Sequence, residues 1–120
     1  MRSSSTSLRS AALVAMSVVI LVASGCSTAR VDERITYWKA ETDAHLKIGT
    51  SRHDAEAFFT ARSATLKCCV SGPLGPMQHY ALERNVGRFL WTEYDVAVLV
   101  DFSPAEEVRA VHVQRWGVGF

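Results

Sequence analysis

The sequence carries almost no surplus charge, and this scarcity excludes a large class of partners. Its 120 residues include 13 Lys and Arg against 12 Asp and Glu. The two signs are mixed along the chain, without a basic cluster, a low-complexity tract or an internal repeat. Because no basic patch is available to neutralise a row of phosphates, we expect no nucleic acid partner.

Signatures of catalysis are also missing. The four histidines are scattered, and neither His-Glu-x-x-His nor Gly-x-Ser-x-Gly occurs. Asp95 and Asp101 fall on one predicted strand about 20 Å apart, too far for paired acid and base work, so a solvated face is their expected environment. We therefore expect no enzyme, no cofactor and no small-molecule substrate.

A hydrophobic run long enough to stay in a membrane is absent as well. The apolar run at residues 11–22 makes roughly 18 Å of helix, against the roughly 30 Å of a bilayer core. Arg2 and Arg9 precede the run and no acid does. This order is typical of a secretory signal peptide rather than of a lasting transmembrane helix.

The end of that segment predicts a lipid anchor at Cys26. Ala23, Ser24 and Gly25 run directly into the cysteine, which resembles the lipobox of bacterial lipoproteins, although leucine is more usual than Ala23. In such proteins the cysteine is acylated and becomes the new N-terminus, and Ser27 in place of aspartate points to the outer membrane. The same small residues also fit ordinary signal peptidase cleavage, which would release a soluble protein.

The predicted organisation has three parts. Residues 1–25 form a signal peptide, residues 26–34 a lipidated polar tether, and residues 35–120 one small α+β domain. Without Arg2 and Arg9 the mature chain keeps 11 basic against 12 acidic side chains, a formal charge of −1. The mature protein is expected at the outer membrane, where its N-terminal lipid anchors it and the domain faces the periplasm.

Periodicity predicts one or two short helices packed on a three- to four-stranded antiparallel sheet. A weak helical spacing covers residues 35–46, and Ser51 with Asp54 predicts a capped helix over residues 52–62. Further along, the period changes to two. The predicted strands cover residues 64–70, 77–86, 94–102 and 108–116.

Two segments carry a resemblance to a known family. Leu-Lys-Ile-Gly-Thr-Ser at residues 46–51 opens a helix, and a turn at residues 102–108 precedes the last strand. Together with Cys26 and its tether, they resemble the SmpA/OmlA (BamE-like) family of small outer-membrane lipoproteins over residues 26–116. The resemblance implies an accessory role in inserting β-barrels, and a fold shared with secreted β-lactamase inhibitors. Phe-Thr-Ala-Arg at residues 59–62 replaces the family's usual Gly-x-Pro.

Cys68 and Cys69 are adjacent in an expected oxidising compartment, which leaves three alternatives. They form a disulfide with each other, a bond between two chains, or one buried and one partly exposed thiol. The last is favoured because neighbours on a strand point to opposite faces. The other metal-ligand candidates, His53 and His79, share no recognised spacing with the pair, so no metal site is predicted.

Aromatic residues toward the C-terminus predict an interaction surface. Trp91, Tyr94 and Trp116 are residue types favoured at interfaces, with core packing as the alternative explanation. The favoured hypothesis is an envelope scaffold or accessory module that binds another envelope protein. The alternatives are an inhibitor or immunity-type protein that binds an enzyme with its sheet, and a periplasmic thiol-redox protein that uses Cys68 and Cys69.

Overall fold

The computed structural model describes residues 28–118, in which two helices pack on one antiparallel sheet. The predicted α+β class is therefore confirmed. The strands pair in chain order, as a meander. The predicted signal peptide and Cys26 lie outside the described residues. The elements are α1 (residues 28–45), α2 (Arg52–Thr60), β1 (Lys67–Gly72), β2 (Gly75–Phe89), β3 (Thr92–Phe102) and β4 (Val108–Val118).

Helix α1 includes residues that the sequence assigned to a tether. Residues 28–34 are helical, Val31 is buried, and Arg34 forms an ion pair with Glu83 of β2 at 2.6 Å. Val31 lies on the apolar stripe that continues to Trp38, and a helix starting at residue 35 cuts this stripe short. Residues 28–34, predicted as part of the tether, therefore belong to the folded domain.

Trp38 lies at the centre of the core. Its side chain is 2% exposed, and its ring centre is 6.1 Å from that of Phe59 and 6.4 Å from that of Phe58. The indole N–H donates to the Glu83 carboxylate at 2.9 Å, and both oxygens of this carboxylate accept the Nε–H of Arg34. The hydrogen bond to Glu83 raises the pKa of Arg34. One residue of the sheet, Glu83, therefore binds both Arg34 and Trp38 of α1.

Helix α2 begins where the capping pattern predicts. The Ser51 hydroxyl accepts a hydrogen bond from the backbone N–H of Asp54 at 3.1 Å, which satisfies one of the free donors at the helix start. Ala55, Phe58 and Phe59 form its buried face. A second hydrogen bond, from the Arg52 N–H to the carbonyl oxygen of Glu106, fixes the start of α2 against the turn between β3 and β4.

Replacing Ser51 by alanine removes the cap and should lower the free energy of unfolding by about 1 kcal/mol. Urea unfolding followed by circular dichroism measures the change. Ser71→Ala is the matched control, because Ser71 is exposed on β1, and its effect should stay within about 0.5 kcal/mol. Equal losses in the two variants would contradict a capping role.

Strand β3 runs through the middle of the sheet. Val96, Val98 and Val100 belong to the core beneath the helices, as their alternation predicts. Asp95 departs from its predicted solvated face, since it is 4% exposed and its Oδ1 accepts the backbone N–H of Asn85 at 2.9 Å. Asn85 lies in an irregular part of β2 with φ of 57°. A local break in the β2–β3 ladder therefore explains the buried carboxylate.

Replacing Asp95 by alanine leaves the Asn85 N–H without its acceptor and should cost about 1–3 kcal/mol of stability. Asp101→Ala is the comparison, because that carboxylate pairs with exposed Arg109 and should contribute about 1 kcal/mol or less. Guanidinium unfolding of both variants tests the difference. A smaller loss for Asp95→Ala than for Asp101→Ala would contradict a structural role for the buried carboxylate.

Candidate functional site

The hairpin between β2 and β3 ends in exposed apolar side chains. Leu90 and Trp91 form its two-residue turn. The exposed fraction is 54% for Phe89, 68% for Leu90 and 77% for Trp91. Val118, paired with Glu93 close to the turn, is 45% exposed. We call Phe89, Leu90, Trp91 and Val118 the apolar tip.

Leu90 holds a backbone conformation that favours glycine. Its φ is 55°, in the left-handed region where bulky residues are uncommon. Turns of this length ordinarily carry Asn or Gly at such a position. This conformation destabilises the fold by on the order of 1–3 kcal/mol. Because the side chain is exposed, its burial contributes little free energy to offset that strain. Folding therefore does not explain the leucine, and exposed apolar residues of this kind are typical of interaction sites.

Two ion pairs lie toward the end of the sheet that carries the apolar tip. Arg88 and Glu93 form an ion pair across β2 and β3, and Arg115 of β4 pairs with Asp32 of α1 at 2.7 Å.

The ion pair of Arg115 with Asp32 also fixes the direction of α1, which starts at the end of the sheet that carries the tip. The loop after α1 then bonds to the beginning of β4, at the opposite end. The start of α1 and the apolar tip thus share one end of the molecule.

The three aromatic residues predicted as an interaction surface do not lie on one face. Trp91 belongs to the apolar tip. Tyr94 is half-buried on the helix side, with the Arg115 guanidinium 5.3 Å from its ring centre. Trp116 is half-buried on the other side of the sheet, its ring centre 6.4 Å from that of Tyr80. Strand alternation separates Tyr94 from Trp116, because the β3–β4 register puts them on opposite faces.

Phe89, Leu90 and Val118 were not among the predicted site residues. The signal that was available is the run Phe89-Leu90-Trp91, three consecutive apolar residues in a connection between strands. Turns usually carry Gly, Asn, Asp or Pro, so an exposed apolar run there suggests a function. The predicted second strand ends at residue 86 and the third begins at residue 94, so this run falls outside both predicted strands.

Cys68 and Cys69 are joined by a disulfide within β1, and their peptide bond is cis. Cys68 is exposed and Cys69 is half-buried. This differs from the favoured expectation of two free thiols on opposite faces. The reason is a bulge in the pairing of β1 with β2, which sets both cysteines opposite the single residue His79. Strand alternation does not apply across such a bulge.

His79 completes a cluster with the two sulfur atoms. One ring nitrogen and the two Sγ atoms all lie within 4.8 Å of one another. The ring packs edge-on against Phe102, with the ring centres 4.9 Å apart. Burial first, and then the nearby Arg52, lower the pKa of His79, so its imidazole is neutral at pH 7. His53, the other histidine considered from the sequence, is exposed on α2 and lies outside this cluster.

A groove of about 1200 Å³ separates the end of α1 from β4. Charges of both signs line it, including Lys39, Asp43 and Arg109. Within the described part of the chain, the buried polar side-chain atoms that lack a hydrogen-bond partner belong to Gln78 and His79. Neither residue lines the groove. Its chemistry therefore points to no particular ligand.

Comparison of the chain with protein-family profiles, curated proteins and solved structures finds no match. Over residues 28–118, neither helix combines the length and the apolar composition that crossing a bilayer requires. A functional assignment accordingly depends on the residues themselves. The features that bear on it are Cys26 in the sequence, the apolar tip, and the cluster around His79.

Proposed function

We propose that the protein is a lipid-anchored accessory protein of a bacterial envelope, which binds a membrane-embedded envelope protein with its apolar tip. Cys26 carries the lipid, and the domain faces the periplasm at the outer membrane. The observation that carries the proposal is the apolar tip, whose turn keeps Leu90 and Trp91 exposed. No nucleic acid, cofactor or small-molecule substrate takes part.

The composition of the apolar tip supports binding to a protein. Trp is among the residues that contribute most to protein interfaces, and an interface typically has an apolar centre with a polar rim. Here Phe89, Leu90 and Trp91 form the centre, and the Arg88–Glu93 ion pair lies on the rim. A partner that covers the tip would remove a large apolar area from water, which favours association.

The direction of α1 supports a partner in the membrane. The helix is already formed at residue 28, two residues after Cys26 in the sequence. A lipid on Cys26 would hold the start of α1 close to the bilayer, and the apolar tip lies at that same end. The resemblance to the SmpA/OmlA family supports outer-membrane assembly as the setting.

The charges near the tip favour a protein surface over the bilayer itself. Peripheral segments that enter lipid headgroups usually carry a surplus of Lys and Arg. Around the apolar tip, Arg88 pairs with Glu93 and Arg115 pairs with Asp32. Each of these two pairs is neutral as a whole, which suits the polar rim of a protein interface.

Crosslinking in intact cells, followed by purification of the tagged protein from membranes, tests the proposal. We expect an intact mass with an acylated N-terminus and one integral envelope protein in the crosslinked fraction. Cys26→Ser should lose both the lipid mass and the membrane fractionation. Recovery of the protein without an envelope partner would contradict the proposal. Binding of Cys26→Ser to vesicles of purified phospholipid is a separate measurement. If that binding depends on the apolar tip, the tip binds lipid and not protein.

Thiol–disulfide exchange is a second candidate function, favoured by the exposure of Cys68 within its disulfide. Exchange requires an attacking thiolate to reach one of the two sulfur atoms, and the Cys68 side is open to solvent. Incubation with a small dithiol under native conditions, followed by thiol labelling, distinguishes the candidates. If the dithiol releases no thiol that can be labelled while the protein is folded, this function is excluded.

A further inference from the structure

We infer that Cys68, Cys69 and His79 form a redox-gated site for a thiophilic d¹⁰ metal cation, Zn²⁺ or Cu⁺, which becomes available when the disulfide is reduced. The inference goes beyond the proposed function and does not depend on the lipid or on the apolar tip. It uses a part of the sheet that neither of them touches.

The first observation is the arrangement of donor atoms. Two Sγ atoms and an imidazole nitrogen lie within 4.8 Å of one another, on two neighbouring strands. Ligand atoms around one tetrahedral zinc are about 3.5–3.8 Å apart. The imidazole therefore needs only a small shift, and breaking the sulfur–sulfur bond lets the two sulfur atoms separate. Thiolate and imidazole are also the ligands that this class of cation prefers.

The second observation is an unsatisfied atom on His79. Its Nε2 is buried and has no hydrogen-bond partner among the described residues. A buried polar atom without a partner costs free energy, and such an atom in a folded protein calls for an explanation. A histidine that lies beside the two sulfur atoms and binds a metal in one redox state would explain why the sequence keeps an imidazole with an unpaired nitrogen there.

The chemical steps balance without a further component. A dithiol reductant gives two electrons and two protons to the disulfide, which becomes two thiols, while the dithiol becomes a cyclic disulfide. A metal cation then displaces the two thiol protons and binds both thiolates and the neutral imidazole. Water or a thiol from solution completes the coordination sphere on the exposed Cys68 side.

The charge of the complex suits its location. Two thiolates balance the charge of Zn²⁺, so the site as a whole is neutral and half-buried. The charged groups that act on His79 are Arg52, Glu56 and Glu106, from α2 and from the turn between β3 and β4. None of them belongs to the group of atoms within 4.8 Å. In the oxidised protein the sulfur atoms carry no thiolate, so metal affinity is much weaker.

The test uses the full chain, purified from membranes in detergent, in its oxidised form and after reduction by a phosphine without oxygen. Zn²⁺ is added in competition with a chromophoric chelator, Cu⁺ in competition with a copper(I) chelator, and Cd²⁺ is followed by its thiolate charge-transfer absorption. We expect one metal per reduced chain. The oxidised chain should bind at least about a hundredfold more weakly, because it offers no thiolate.

Variants assign the ligands. Cys68→Ser with Cys69→Ser should abolish the charge-transfer band, and His79→Gln should weaken Zn²⁺ binding by about tenfold or more. His112→Gln on β4 is the matched control and should bind as the parent does. Thermal unfolding of each variant verifies its fold. Equal Zn²⁺ and Cu⁺ affinities in the oxidised and reduced forms, or an unchanged affinity in a folded His79→Gln, would overturn the inference.

Discussion

Trp38→Ala should lower the free energy of unfolding by about 3–5 kcal/mol, the range for a fully buried aromatic residue. The substitution removes the packing against Phe58 and Phe59 and leaves a cavity where α1 meets the sheet. It also removes the indole N–H that donates a hydrogen bond to Glu83. Since small domains are stable by about 5–15 kcal/mol, this loss is a large fraction of the whole free energy of unfolding.

Chemical unfolding by guanidinium, followed by circular dichroism, measures this loss. Trp91→Ala is a matched control because it removes the same side chain from a position that is 77% exposed. Its effect on stability should stay within about 0.5 kcal/mol. Similar losses in the two tryptophan variants would mean that Trp38 is not the centre of the core, and that the packing of α1 is described wrongly.

The same Trp91→Ala variant should weaken binding of the envelope partner by about thirtyfold or more. This is the effect of losing an interface residue that contributes about 2 kcal/mol. Leu90→Gly should also weaken binding, while stability stays equal or rises, because glycine accepts the positive φ of this turn without strain. The combination of weaker binding and undiminished stability distinguishes a binding role from a structural one.

Quantitative recovery of the crosslinked partner from membranes measures this effect. Met77→Ala is the control, since Met77 is 71% exposed on β2 but lies at the end of that strand away from the apolar tip. It should retain the partner at the level of the parent protein. Equal recovery with Trp91→Ala and with the parent would show that the tip is not the interface.

Much of the fold was predictable because it depends on local patterns. The alternation of Val96, Val98 and Val100 predicts the central strand, and Ser51 predicts the start of α2. The N-terminal part of α1 is not evident from the sequence because three charged residues follow Val31 and look like part of a tether. Contacts with residues far away in the sequence, such as the ion pair of Arg34 with Glu83, make the folded role of this segment evident.

The candidate sites were harder to predict because each one depends on an irregularity. The bulge in β1 places Cys68 and Cys69 opposite His79, although strand alternation predicts separate faces. Leu90 lies at a positive φ in a turn without Gly or Asn. The burial of Asp95 likewise depends on a break in the ladder. No local pattern announces such breaks, since they result from how whole strands pair.

A photoactivatable amino acid in place of Trp91 tests the central claim most directly. After irradiation of intact cells, the proposal predicts one covalent adduct with an integral envelope protein, in the membrane fraction. The same amino acid in place of Met77 should give no such adduct. Adducts with lipid alone at position 91, or the same products at both positions, would contradict a protein-binding role for the apolar tip.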